Sequence, residues 1–279
     1  NKLLCLLVNK LASLDPFGCG IEMEADKPNW FDALNGLPGL LGSSLNETFE
    51  LKRLALLIKE FIEKSGIEKL SVTEEIHNFS INLDKLIQDC LNSDSDNKDY
   101  RYWDRSYSLK EDYRQKTRLG VSGKELEMET SRLLNLLNNA LEKLESGIDK
   151  ALDKQKNIYY AYFINEVAEY TLEASFAKPT EFHQIKLPFF LESQVHALKL
   201  ISNINKAKML YAATKKSNLF DKKLKMYKST SSLKSMPFEI GRCRIFTPGW
   251  LEHESVWLHM EYKYLLEILK SGLYEEFYE

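Results

Sequence analysis

From residue 124 to 154 the leucines Leu126, Leu133, Leu134, Leu137, Leu141 and Leu144 fall on one side of a helix, and stripes of this kind recur along most of the chain. Ser44-Leu45-Asn46-Glu47 has the spacing of a capping box and opens a stripe through Leu51, Leu54, Ile58, Phe61 and Ile62 that stops at Ser65-Gly66. Residues 73–91 carry Ile76, Phe79, Leu83, Leu86 and Ile87 at the same period, and Tyr100-Arg101-Tyr102-Trp103-Asp104-Arg105 leads into a helix ending near Gly120. Shorter helices are expected over 191–201 and 206–217. Thr247-Pro248 reads as the N-cap and first residue of a last helix through Leu258, Leu265 and Ile268, which puts Trp250, Glu252 and Glu254 in its first turns. Residues 158–172, dense in Tyr, Phe and Val, are expected to be extended, and the Lys-rich 222–234 to be a solvated loop. The expectation is a mainly α fold with minor β, one domain over 1–279 built of paired long helices with long loops at one end.

The chain is 44% hydrophobic, enough for a large core, and its 38 basic residues against 41 acidic ones give a net charge of -3. With no basic excess, neither nucleic acid nor an anionic membrane is an expected partner. No run approaches the roughly 18 apolar residues that span a bilayer. Cys5, Cys19, Cys90 and Cys243 are far apart, without metal-ligand spacing, and read as reduced thiols of a cytoplasmic protein. The apolar opening Asn1 to Val8 lacks an initiator Met and reads as a helix entered midway, so the rest of a parent chain is an expected partner.

Residues 14–43 hold five of the twelve glycines and three of the seven prolines, a long loop of the kind that carries function. Glu22, Glu24, Lys27, Trp30, Asp32 and Asn35 lie in it. A sugar site needs these parts: aromatic faces for the C–H face of a pyranose, planar polar groups for hydroxyls, and a carboxylic acid for the leaving oxygen. Asp32, beside Trp30 and Phe31, either sits in apolar surroundings that keep it protonated or caps the turn at Ala33. The second block is Phe246-Thr247-Pro248-Gly249-Trp250-Leu251-Glu252-His253-Glu254-Ser255, where Glu252 and Glu254 are either catalytic carboxylates or ordinary helix-start acids, and Trp250, like Trp103, is a candidate stacking wall. Phosphate-binding, dinucleotide, zinc-protease and nucleophile-elbow motifs are absent.

Trp30-Phe31-Asp32-Ala33-Leu34-Asn35-Gly36, followed by a Gly-Ser loop and a helix with Glu47 near its start, resembles the W-x-D-x-x-N segment of cellobiose-phosphorylase-like enzymes. The second block is similar to a motif of large bacterial relatives of that group. The wider set comprises inverting glycosidases and phosphorylases built on an (α/α)6 barrel, so the resemblance implies part of a helical toroid, a disaccharide or oligosaccharide substrate, and Asp32 as general acid. It implies no cofactor, with inorganic phosphate as co-substrate if the reaction is phosphorolysis. The family's acidic residue before Trp is Asn29 here, and no phosphate-binding loop is recognisable, which ranks hydrolysis ahead of phosphorolysis. An inverting base belongs roughly 6.5–9.5 Å from the acid, with room for a water, and the resemblance implies Glu254, then Glu252, for that role, with Glu22 and Glu24 behind them. If phosphate attacks instead, Arg242, Arg244 or Thr247 would bind it.

Overall fold

Leu4, Leu7, Val8 and Leu11 recur every third or fourth residue, and the segment carrying them forms a helix, α1 (Lys2–Leu11), with that side buried. The same logic holds through the computed structural model, which describes residues 1–25 and 31–279. The chain folds into two compact units, Asn1–Ile21 with Glu50–Asp149, and Glu22–Phe49 with Lys150–Glu279. It is mainly α, with nine α-helices among the described residues, none of them long and apolar enough to cross a membrane.

In the first unit, α1 packs with α2 (Leu45–Ser65, whose first turn belongs to the second unit), α3 (Glu74–Leu91), α4 (Lys98–Thr117) and α5 (Thr130–Ala151). The core takes Leu51, Ala55 and Ile58 from α2, Ile76, Phe79, Leu83 and Ile87 from α3, and Leu133, Leu137, Ala140 and Leu144 from α5. The segment Tyr100 to Arg105 lies inside α4, which buries Tyr102, Ser106 and Lys110 at four-residue spacing.

The helix expected from residue 124 begins only at Thr130. Before it, Glu125–Glu129 forms a strand antiparallel to Lys69–Thr73, with Met128 opposite Leu70 and Leu126 opposite Val72. Glu-Leu-Glu-Met-Glu alternates with period two, so Leu126 belongs to this ribbon and not to the α5 stripe.

With Ile21–Glu22 as β1 and Ser43–Ser44 as β2, these two ribbon strands are β3 (Lys69–Thr73) and β4 (Glu125–Glu129). The second unit follows with the short pairs β5 (Leu152–Asp153) with β6 (Ile158–Tyr159) and β9 (Phe220–Asp221) with β10 (Met226–Tyr227). Its main hairpin is β7 (Tyr162–Glu173) with β8 (Phe176–Lys186), as the aromatic density predicts, and β2 adds to it with Ser43 opposite Phe163. Tyr162 to Asn165 are buried whereas Glu166 to Glu173 are exposed, so only the near end of the hairpin joins the core. The helices of this unit are α6 (Leu191–Leu198), which packs against α7 (Ile204–Lys216) and α8 (Leu258–Lys270), and the short α9 (Tyr274–Tyr278), which packs against α8.

The last long helix therefore starts ten residues after Pro248, at Leu258, and Trp250, Glu252 and Glu254 do not occupy helical turns. Gly249, Leu251 and Glu254 all have positive φ (88°, 47° and 50°), which a right-handed helix excludes. The Lys-rich segment is only partly solvated: Lys222 to Leu224 are exposed, but Ser229, Thr230, Ser231 and Leu233 are buried.

Candidate functional site

The second unit brings the two motif blocks together. Asp32 opens a short 3-10 turn, Asp32–Leu34, followed by another at Leu37–Leu40, and a second pair of turns, Phe238–Ile240 and Arg242–Arg244, packs against the first. The Gly36 amide donates to the Ile240 carbonyl at 3.1 Å, and a β-carbon on Gly36 would stand 1.7 Å from the Glu239 carbonyl oxygen. Backbone thus lies directly on backbone, and no side-chain rearrangement relieves that overlap. Gly36→Ala is expected to cost about 1–3 kcal/mol, read as a lower denaturant midpoint, and to loosen the turn that carries Asp32.

Beside this junction lies a cavity of about 330 Å³ whose walls include Phe31, Asp32, Arg242, Phe246, Glu252 and Trp257. Phe31 forms its buried floor, 1% exposed, in edge-to-face contact with Phe190 at 5.0 Å and Tyr162 at 6.2 Å. Behind it, buried Glu192 accepts from the Tyr162 hydroxyl at 2.6 Å and from the Asn46 amide at 2.8 Å. Burial, and then the Glu192 charge, push the Tyr162 phenol well above its ordinary range, so it stays a donor.

Asp32 itself is not enclosed by apolar walls. Its side chain is 67% exposed and its Oδ2 accepts from the Arg242 guanidinium at 2.9 Å. Phe31 lines the same cavity, and Trp30 and Lys27 lie outside the described residues. Arg244 is occupied elsewhere: its Nε donates to the Met236 carbonyl at 3.0 Å, and the guanidinium lies 4.6 Å over the Phe238 ring. Thr247 is exposed and is not part of the cavity wall.

Glu252 reaches the cavity from a tightly held loop. Its carbonyl accepts from the Ser229 hydroxyl at 3.0 Å and the Thr230 hydroxyl at 3.3 Å. His253, 1% exposed, locks the same loop: Nε2 accepts the Leu233 amide at 3.2 Å, so Nδ1 carries the proton and donates to the Phe246 carbonyl at 2.7 Å. Cys243 senses the site electrostatically, its thiol pushed up to about 12 by burial and by the Glu252 charge, against the opposing pull of Arg242.

Glu254, the first-ranked base, is an anchor. Its amide donates to the Thr230 hydroxyl at 3.0 Å, and its carboxylate accepts from Lys228 at 3.2 Å. Burial alone would raise its pKa, but hydrogen bonds from Ser232 and Lys228 and the Lys228 charge outweigh that and hold it below the ordinary value of 4.5. A depressed carboxyl contributes stability above its unfolded pKa and loses it as the pH falls through the folded one. Glu254→Gln is therefore expected to flatten the loss of stability below about pH 4.5, measured as denaturant midpoint against pH.

Of the remaining candidates, Glu22 is half-buried and Glu24 and Asn35 are exposed. Trp250 is 59% exposed, 5.5 Å from the Phe246 ring, and lies outside the cavity wall. Trp103 belongs to the first unit, on α4 between Tyr100 and Tyr107. Trp257, which a helix from Thr247 would have put in its third turn, instead takes the wall position, its indole donating to the Leu251 carbonyl. No group of three or more His, Cys, Asp or Glu among the described residues could hold a metal ion. Neither the family models nor the curated proteins contain a match to this chain.

Proposed function

We propose that the second unit cleaves a glycosidic bond of a disaccharide or oligosaccharide by inversion, with Asp32 as general acid and Glu252 as the base that activates water. One observation carries this reading: two acidic residues from opposite ends of the chain, Asp32 and Glu252, line one cavity together with Phe31, Phe246 and Trp257. Aromatic faces suit the apolar side of a sugar ring, and paired carboxylates are the minimal equipment for inverting hydrolysis. In this reading the helices belong to an (α/α)6 toroid completed by the rest of a longer chain, as the W-x-D-x-x-N resemblance implies.

At rest the Arg242 guanidinium donates to Asp32 Oδ2 at 2.9 Å. Catalysis then requires the bound sugar to part the two, leaving Asp32 to carry the proton and deliver it to the leaving oxygen. Both side chains are half or more exposed, so the separation is inexpensive.

Arg242 also favours a second reading, inverting phosphorolysis. An inorganic phosphate on its guanidinium would compete with Asp32 for the charge and bring the nucleophile into the cavity. The two readings separate on one variant. Under phosphorolysis, Arg242→Gln raises the KM for phosphate about 10–100-fold, the worth of a charged hydrogen bond; under hydrolysis, phosphate has no effect on either protein. Initial rates of sugar release against phosphate concentration decide between them.

A further inference from the structure

The first unit contains a buried nucleophile pair that the cavity of the second does not use. Cys90 stands on the last turn of α3 and Lys143 in the middle of α5, with Sγ and Nζ 3.4 Å apart. The Lys143 side chain is 3% exposed, an unusual place for an ammonium, and three groups hold it there. Asp99 Oδ1 accepts from Nζ at 3.0 Å, the Tyr102 ring lies 4.1 Å beneath it, and Cys90 completes the shell. The same Asp99 oxygen lies 3.9 Å from Cys90 Sγ, so one carboxylate serves both nucleophiles. Gly18 makes room for that carboxylate, since a β-carbon there would sit 2.6 Å from Oδ1. Cys90 and Tyr102 also form part of the wall of a cavity of about 400 Å³ with Lys98, Arg101 and Arg105 around it, a volume that takes a peroxide molecule beside Cys90.

We propose that Cys90 and Lys143 are a site of oxidative cross-linking, joined by hydrogen peroxide through a sulfur–nitrogen bond that staples α3 to α5. In the first step the thiol gives up its proton and Sγ attacks one peroxide oxygen. The O–O bond breaks, the departing hydroxide takes a proton and leaves as water, and Cys90 becomes a sulfenic acid. In the second, Nζ passes a proton to Asp99 and attacks Sγ; the S–O bond breaks and a second water leaves. Thiol and amine together lose two hydrogens and two electrons, and one peroxide is reduced to two waters. Immobilising the amine at contact distance from the sulfur favours this ring closure over further oxidation. Cys5 is the internal comparison, because its sulfur has the Tyr113 hydroxyl at 3.2 Å and the Asn9 amide at 3.5 Å against it instead of an amine.

The test is peroxide treatment of the folded protein, digestion and mass spectrometry. The expected result is a linked pair of peptides containing residues 90 and 143, lighter than their sum by two hydrogens, separated again by dithiothreitol. The pair is absent from Cys90→Ser and Lys143→Arg, and from wild-type protein oxidised in denaturant, where proximity is lost. Cys90 found as sulfinic or sulfonic acid with Lys143 free, or Cys90 unreacted while Cys5 oxidises, overturns the proposal without reference to how either variant folds.

Discussion

Asp32→Asn is expected to lower kcat/KM for cleavage of an unactivated glycoside by about 10²–10⁴, the usual worth of a positioned general acid. That is about 3–5 kcal/mol of barrier. The fold should be untouched, because Asp32 is largely exposed and the amide oxygen of Asn can keep the hydrogen bond from Arg242. The loss should depend on the leaving group. An aryl glycoside whose phenol departs as a stable anion needs no proton, so the variant keeps most of its activity there and loses it on an alkyl glycoside or disaccharide. A uniform loss across leaving groups would instead mark Asp32 as a binding residue. Initial rates on such a series, for wild type and variant, measure the difference.

The second large effect is on stability. Phe31→Ala is expected to cost about 3–5 kcal/mol, as buried phenylalanines do when truncated. Phe31 is 1% exposed and closes an edge-to-face trio with Tyr162 and Phe190, whose own centroids lie 4.9 Å apart. A void there undermines the adjacent Tyr162, whose hydroxyl satisfies Glu192 at 2.6 Å, so a buried hydrogen-bonded carboxylate is exposed to the same loosening. Because Asp32 is the next residue, activity should fall along with the denaturant midpoint, whereas Phe31→Leu retains most of both. Chemical denaturation followed by activity at equal folded fraction separates the two effects.

The helices were legible because their stripes are long. The 3.6-residue spacing of Ile76, Phe79, Leu83 and Ile87 admits no other structure, and α3 follows it. Leu126 was misassigned because an apolar residue between two glutamates satisfies the tail of a helical stripe and the period of a strand alike; pairing with Lys69–Thr73, distant in sequence, decides it. The stretch after Thr247-Pro248 has good local helix-start signals, but buried His253 binds Phe246 and Leu233 on either side, and the positive φ at Leu251 and Glu254 follows from that tertiary demand. At about 1–3 kcal/mol for each such residue, the anchoring bonds must outweigh the strain.

The candidate site was legible in its residue types and not in its wiring. Asp32, Glu254 and Glu252 are carboxylates near aromatics on Gly- and Pro-marked segments, with Glu254 ranked ahead of Glu252, and Arg242 is a basic residue near the second block. That Arg242 pairs with Asp32, 210 positions away, depends on two 3-10 turns meeting through Gly36, which no local pattern reports. Trp257 was missed for the same reason as the turn, since a helix begun at Thr247 carries it to a different face.

The most direct measurement is sugar release from a panel of α- and β-linked disaccharides, with and without phosphate, following the anomeric configuration of the first product by NMR. Wild-type protein, Asp32→Asn and Glu252→Gln are compared in the full-length chain. Wild type is expected to give an inverted first product, Asp32→Asn to release sugar about 10²–10⁴-fold more slowly, and Glu252→Gln to lose hydrolysis. A retained configuration, activity undiminished in Asp32→Asn, or sugar that binds the cavity and is never cleaved would contradict the proposed reaction.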